Sequence, residues 1–229
     1  MSAGNANMQK SVVFVHLLLS LVVPSHAGVK QEDFTGIGHI HVLNSSDWQT
    51  ATPDLKVGCM DASGKFVKDV SEESCGVFAR LAEYPYTLST SEGNCTFEDD
   101  RQENNGDSLY GQMDYAWNCG KDYKTSIYDE LYTITGLPYV FLCFGDIACF
   151  YDAKRVPAPA EQLSLWQFHW GSQQLGITPG HIQLLLMWDK IGDLPKREDS
   201  SSVIPGPRVE LESGQQVPLL GKRVKALEV

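Results

Sequence analysis

The sequence predicts a mainly β protein, a compact disulfide-stabilised β-sandwich or barrel with little helix. Three observations carry that expectation. From Gly36 to about Trp188, apolar residues recur mostly at every second position, the spacing of strands with one buried face. The runs are short and separated by clusters of Gly, Pro, Asn, Asp and Ser, the residues of turns. Six cysteines, Cys59, Cys75, Cys95, Cys119, Cys143 and Cys149, fall in the same stretch, an even count that suits a disulfide framework.

In chain order, Ser11 to Val23 form the apolar run SVVFVHLLLSLVV, preceded by Lys10 and followed by small residues up to Ala27. That is the layout of a secretory signal, with an apolar core too short to span a bilayer and cleavage expected after Ala27. The predicted organisation is a signal peptide over 1–27, a single β-rich extracellular domain over 28–191 and a disordered tail over 192–229. The tail has few large apolar residues, several prolines and mixed charges, too little to bury. Two dibasic steps in it, Lys196-Arg197 and Lys222-Arg223, are open to processing in the secretory pathway.

Within the domain, GIGHIHVL reads as the first strand, with Ile37, His39, His41 and Leu43 on one face. DASGKF, 61–66, reads as a turn between short strands, and CGVFARLAEY, YPYTLSTS, QMDYAWNC, LYTITG and PYVFLCFG as further strands. FEDDRQENNGDS, 97–108, is acidic and turn-rich and is expected to be a solvated loop. Its acids lack the spacing of an EF-hand. The segment around APAEQL leaves room for a helix within 152–164, and HIQLLLMWDK, 181–190, suits either a central strand or a buried helical turn.

For the cysteines, sequential pairing is favoured (Cys59 with Cys75, Cys95 with Cys119, Cys143 with Cys149), although other connectivities are open. No Cys-x-x-Cys points to zinc. The net charge of −11 opposes approach to phosphate, so nucleic acid and anionic membranes are poor partners and none is expected after signal cleavage. A monomer is expected.

The densest aromatic stretch is SLWQFHWGS, 164–172. On a strand, Trp166, Phe168 and Trp170 share one face, and Leu165, Gln167 and His169 the other. Exposed, the aromatic row would stack on sugar rings; buried, it is a core layer. The apolar run 182–188 lies within hairpin reach across GSQQLGITPG, which favours burial. Candidate binding residues are therefore Trp166, Phe168, Trp170 and His169. His39 and His41 form an H-x-H pair that a strand would project from one face, a candidate metal pair for which His169 can be drawn as a third ligand. Histidines on a half-buried sheet face are the plainer reading. Asn44-Ser45-Ser46 and Asn94-Cys95-Thr96 fit the N-glycosylation acceptor.

No catalytic residue is assigned. There is no G-x-S-x-G elbow, no S-x-x-K and no thiol expected to be free. Asp129 and Glu130 are adjacent, so on a strand they face opposite sides and cannot converge on one bond. Asp146 and Asp152 read as solvated rim carboxylates. No cofactor is expected.

The segments KVGCMDASGKFV, CGVFAR, YTLSTSEGNCTF and WNC, over roughly 56–119, resemble small secreted cysteine-rich proteins of filamentous fungi. They also resemble the accessory C-terminal domain of fungal secreted acid ribonucleases, where a Gly-Cys turn, a Cys before a short aromatic strand and a TLS-S-G-C strand recur in this order. The resemblance implies a β-rich, disulfide-bonded extracellular domain that associates with cell-wall material. It implies no catalysis, since the ribonuclease's histidine motifs are absent, and the chain from Cys143 onward departs from that domain. The expected function is a secreted, non-enzymatic binding protein of fungal type, acting at the cell wall or as an effector on a host molecule. The alternatives are a secreted hydrolase whose carboxylates meet only in the fold, and an extracellular metal-binding protein.

Overall fold

Strands β1 (Gly36–Leu43) and β13 (Ile182–Gly192) form the spine of the protein, seen in a computed structural model. The structure describes residues 30, 33–68, 72–80, 86–144 and 149–194, with the backbone of 208–210 and 216–218. The expected signal peptide and Asp146 lie outside the described residues. So does most of the expected tail, where two short strands, β14 (Arg208–Glu210) and β15 (Gln216–Pro218), pair with each other.

β1 and β13 are antiparallel, in register from Ile37 opposite Gly192 to Leu43 opposite Leu185, with one irregularity between Ile37 and Gly38. β1 alternates as its sequence predicts, with Ile40 and Val42 in the main core. β13 is buried on both faces from Leu184 to Trp188. Leu184, Leu186 and Trp188 enter the main core, while Leu185 and Met187 join Leu43, Ala51 and Phe141 in a smaller core on the opposite side. HIQLLLMWDK is thus a central strand, and its unbroken hydrophobicity follows from having two covered faces.

The remaining strands of this sheet are short: β2 (Lys56–Met60), β3 (Phe66–Val67), β4 (Phe78–Arg80), β5 (Leu88–Thr90), β6 (Gly93–Thr96) and β7 (Asn118–Gly120). They are followed by β8 (Leu131–Thr133), β9 (Val140–Phe144), β10 (Tyr151–Ala153), β11 (Gln162–Leu163) and β12 (Trp166–Gln167). One hydrogen-bonded path runs β11-β3-β2-β1-β4-β5-β6-β7, while β13 also carries β9 and β10, which in turn carry β8 and β12. The antiparallel sheet curls into a half-barrel. Its two ends approach each other where the Trp117 N–H bonds the Leu165 carbonyl and the Cys119 N–H bonds that of Ser63, each at 2.9 Å. The protein is mainly β, as the sequence predicts. Between the strands lie 3-10 turns such as Pro53–Leu55 and Ile127–Asp129, and Asp129 caps the latter rather than facing a cleft. APAEQL forms no helix; it turns through Ala160, at φ 63°, and enters β11. No helix among the described residues is long and apolar enough to cross a membrane.

The main core is built around aromatic contacts. Trp117 stacks on Phe78 and Phe97 and meets Phe144 edge-on, with ring centroids 5.7, 6.0 and 6.2 Å apart. Such pairs add about 1 kcal/mol each to the burial itself. Trp188 lies directly over Gly38, where a Cβ would stand 2.8 Å from the indole and 2.5 Å from the Asp189 carbonyl. Only glycine lets β13 come this close.

All six cysteines are bonded, Cys59–Cys75, Cys95–Cys119 and Cys143–Cys149, the sequential pairing. Cys95 and Cys119 are directly opposite in β6 and β7. Closing loops of this size stabilises by roughly 2–4 kcal/mol per bond, chiefly by restricting the unfolded chain. DASGKF is the expected turn, in which Asp61 Oδ1 accepts from the Ser63 N–H, the Ser63 hydroxyl and the Lys65 N–H.

The segment 97–108 follows expectation in part. Asp99 is 4% exposed and accepts from the Tyr123 hydroxyl, from Arg101 Nε at 2.9 Å and from Gln102 Nε2 at 2.8 Å. Burial pushes this carboxyl up, but the hydrogen bonds from Tyr123, Arg101 and Gln102 outweigh it and hold the group at about 2. Asn105 and Ser108 are buried as well. The segment is thus tethered at Asp99, Asn105 and Ser108, while Glu98, Asp100, Glu103 and Asp107 are exposed as expected of a solvated loop.

Candidate functional site

The aromatic stretch divides in the fold. β12 ends at Gln167, so Trp170 does not follow Trp166 and Phe168 inward. Trp166 and Phe168 are 1% and 4% exposed, whereas Trp170 is 63% exposed. The expected hairpin with 182–188 does not form, because β10 stands between the partners. Asp152 faces Trp166 on one side and Gln183 on the other.

The inward tryptophan lies over a buried polar cluster. Its indole N–H donates to the Glu103 carbonyl at 3.0 Å, and its ring stacks on His181 with centroids 5.9 Å apart. His181 Nδ1 is 2.8 Å from Asp152 Oδ1, and its Nε2 is 3.4 Å from Asp107. Asp152 is fully buried, which overturns the rim reading. Its second oxygen accepts from the Thr178 hydroxyl. Thr178 Oγ1 in turn accepts from Gln174 Nε2 at 3.3 Å, and Gln174 Oε1 accepts from the Leu109 N–H at 2.7 Å. This chain of bonds runs from β10 to two surface loops, 108–113 and 170–176.

Those loops are fastened to each other. The Tyr110 hydroxyl accepts from the Gln173 N–H at 3.1 Å and lies 3.5 Å from Ser172 Oγ. These contacts, Ser172 foremost, hold the phenol below its ordinary range. Gly171 packs against the Tyr110 ring, where a Cβ would be 2.7 Å from Cζ. His169 Nε2 is 2.7 Å from Asp114 Oδ2, a further tie between the two segments. Five large apolar side chains on these loops face solvent: Leu109, Tyr110, Met113, Trp170 and Leu175. Neither LYGQM, 109–113, nor WGSQQLGIT, 170–178, contains an acidic or basic residue, although the chain carries a net charge of −11. Of the predicted binding residues, Trp170 alone is a solvent-facing ring; Trp166 and Phe168 are buried and His169 pairs with Asp114. Tyr110, Leu109, Met113 and Leu175 were not legible as partners. Their uncharged surroundings are the signal that marks them.

His39 and His41 do share a face of β1, with ring centroids 6.4 Å apart. His39 Nδ1 is bound to the Gly76 carbonyl at 2.9 Å, and His41 Nε2 to Asp189 at 3.1 Å. Burial lowers the His41 pKa against the opposing pull of Asp189. His169 is held by Asp114, and no group of three metal-ligating side chains occurs among the described residues. The arrangement of His39, His41 and His169 is therefore not brought together.

A separate groove of about 330 Å³ is lined by Asp61, Ser63, Glu73, Glu92 and Gln162. Asp61 is engaged in its own turn and accepts from Gln162 Nε2 at 2.7 Å. Glu73 and Glu92 are exposed there. Of the two sequons, Asn44 lies at the surface just past β1 and Asn94 lies inside β6.

Comparison with protein-family models, curated proteins and solved structures finds no match for this chain.

Proposed function

We propose that the protein is a secreted, non-enzymatic binding protein of fungal type that holds a neutral cell-wall polysaccharide on its paired loops. The single observation that carries the reading is the pair of interlocked, uncharged loops exposing Trp170 and Tyr110. The C–H faces of a sugar ring suit an aromatic face, and the amides and hydroxyls of Gln112, Ser172 and Gln173 suit its hydroxyl groups. Loops already fastened to each other lose little freedom on binding, so more of the contact energy appears as affinity. Export is supported by the N-terminal apolar run and three disulfides, and fungal character by the resemblance over 56–119.

The test is retention of the full chain on insoluble chitin and β-glucan, with Trp170→Ala and Tyr110→Ala as variants. Retention of the wild type on one of them is expected, weakened roughly fivefold or more per lost ring. A wild type that passes through both sinks the wall reading. In that case, a Trp170-dependent complex with a host protein would place the same surface in an effector role.

A hydrolase is the second reading, favoured by the groove that brings Glu73 and Glu92 to one space. Release of reducing sugar from β-glucan, abolished in Glu73→Gln or Glu92→Gln, supports it; no release by the wild type removes it.

A further inference from the structure

The two sequons are alike in sequence and opposite in structure. An N-glycan is attached at Nδ2, so the acceptor amide must be free of the fold and must open onto solvent. Asn44 meets both conditions: its side chain is exposed and makes no hydrogen bond among the described residues, and Ser46 is exposed beside it. Only its backbone is used, the N–H bonding the Leu55 carbonyl at 3.0 Å.

Asn94 fails the first and meets the second only in part, being half-buried. It is in β6, between Ser89 of β5 and Gly120 of β7. Its Nδ2 donates to the Tyr123 carbonyl at 2.8 Å. A sugar there would enter the space of Tyr123, whose hydroxyl holds Asp99 and accepts from Asn118 Nδ2 at 2.8 Å. The rest of the sequon is committed as well. Cys95 is bonded to Cys119, and Thr96 is 5% exposed, its hydroxyl accepting from the Glu98 N–H at 2.8 Å.

We propose that the exported protein carries one N-glycan, on Asn44, and that Asn94 is left bare because a sugar there is incompatible with the packing of β6 against Tyr123. Sugar transfer precedes folding, so a chain modified at Asn94 cannot seat Tyr123 and is held back from export. The inference rests on the export reading above, and its test separates the two.

The full chain is expressed in a secretory yeast, once with its own N-terminus and once with a proven secretion leader placed ahead of residue 1. Intact mass before and after endoglycosidase, followed by peptide mapping, counts and locates the sugars. Secreted protein is expected to lose the mass of one glycan. That shift should be absent in Asn44→Gln and in Ser46→Ala and unchanged in Thr96→Val, which removes the second acceptor while keeping a buried side chain of the same shape. Secretion only behind the added leader would sink the export reading and still report the glycan. Secreted protein without sugar, secreted protein with sugar on Asn94, or a leader-driven chain that never leaves the cell overturns the proposal.

Discussion

Asp152 and His181 are joined inside the protein, carboxylate Oδ1 to imidazole Nδ1 at 2.8 Å, with Thr178 on the other oxygen and the Trp166 ring against the imidazole. The pair is the inner anchor of loop 170–176. Asp152→Ala leaves the His181 N–H and the Thr178 hydroxyl buried without their acceptor and is expected to cost about 3 kcal/mol in urea unfolding. Asp152→Asn keeps an oxygen for His181 and offers its amide to Thr178, so a smaller loss is expected. Equal losses in the two variants would show that the pairing does not matter and volume does.

The two tryptophans of SLWQFHWGS should separate stability from binding. Trp166→Ala removes a fully buried ring and is expected to cost about 3–5 kcal/mol. Trp170→Ala is expected to change stability by less than about 0.5 kcal/mol while losing retention on polysaccharide. Thermal unfolding and pull-down on the same samples check both halves.

Asp99 gives the fold an acid limit. The carboxyl sits at about 2 in the folded protein against an ordinary 3.8. Its contribution is therefore complete above pH ~4 and is lost as pH falls toward ~2. Because its partner Arg101 faces solvent, screening reduces that contribution to about 1–2 kcal/mol. Asp99→Asn should lower stability at pH 6 by this amount and flatten the stability profile between pH 4 and pH 2. An unchanged profile would contradict the assignment.

Gly38 sets the separation of β1 from the Trp188 indole and the Asp189 carbonyl. Gly38→Ala should force the two strands of the spine apart, costing about 1–3 kcal/mol by chemical denaturation. A variant as stable as the wild type would mean that the spine yields there.

Where one face of a strand is dry and the other wet, its residues declared it. GIGHIHVL was readable for that reason; the turn at 61–66 was readable from its turn-forming residues, and the sequential disulfides are the favoured pairing among several that the sequence left open. Leu184 to Trp188 were ambiguous because burial on both faces erases the alternation that distinguishes strand from helix. Asp99 was misread because its partner Tyr123 is distant in sequence, and composition reports local polarity without long-range hydrogen bonds. Trp170 was grouped with Trp166 because period two was extended past Gln167, where β12 stops. The proposed surface was half visible. Trp170 stood out as an aromatic, but the contact of Tyr110 with Gln173 on the loop that follows it is a tertiary fact.

The first strand of the main sheet is held by its last: Ile37 lies opposite Gly192. During synthesis, β1 has no such partner until almost the whole domain has left the ribosome. The inner face of β1 and its neighbours must wait exposed through that interval, an invitation to wrong pairings and to chaperones. A chain stopped before Ile182 would keep the strands paired around β1 but leave β9 and β10 with nothing to join them to that sheet, so nascent fragments should remain protease-sensitive up to the point at which β13 emerges.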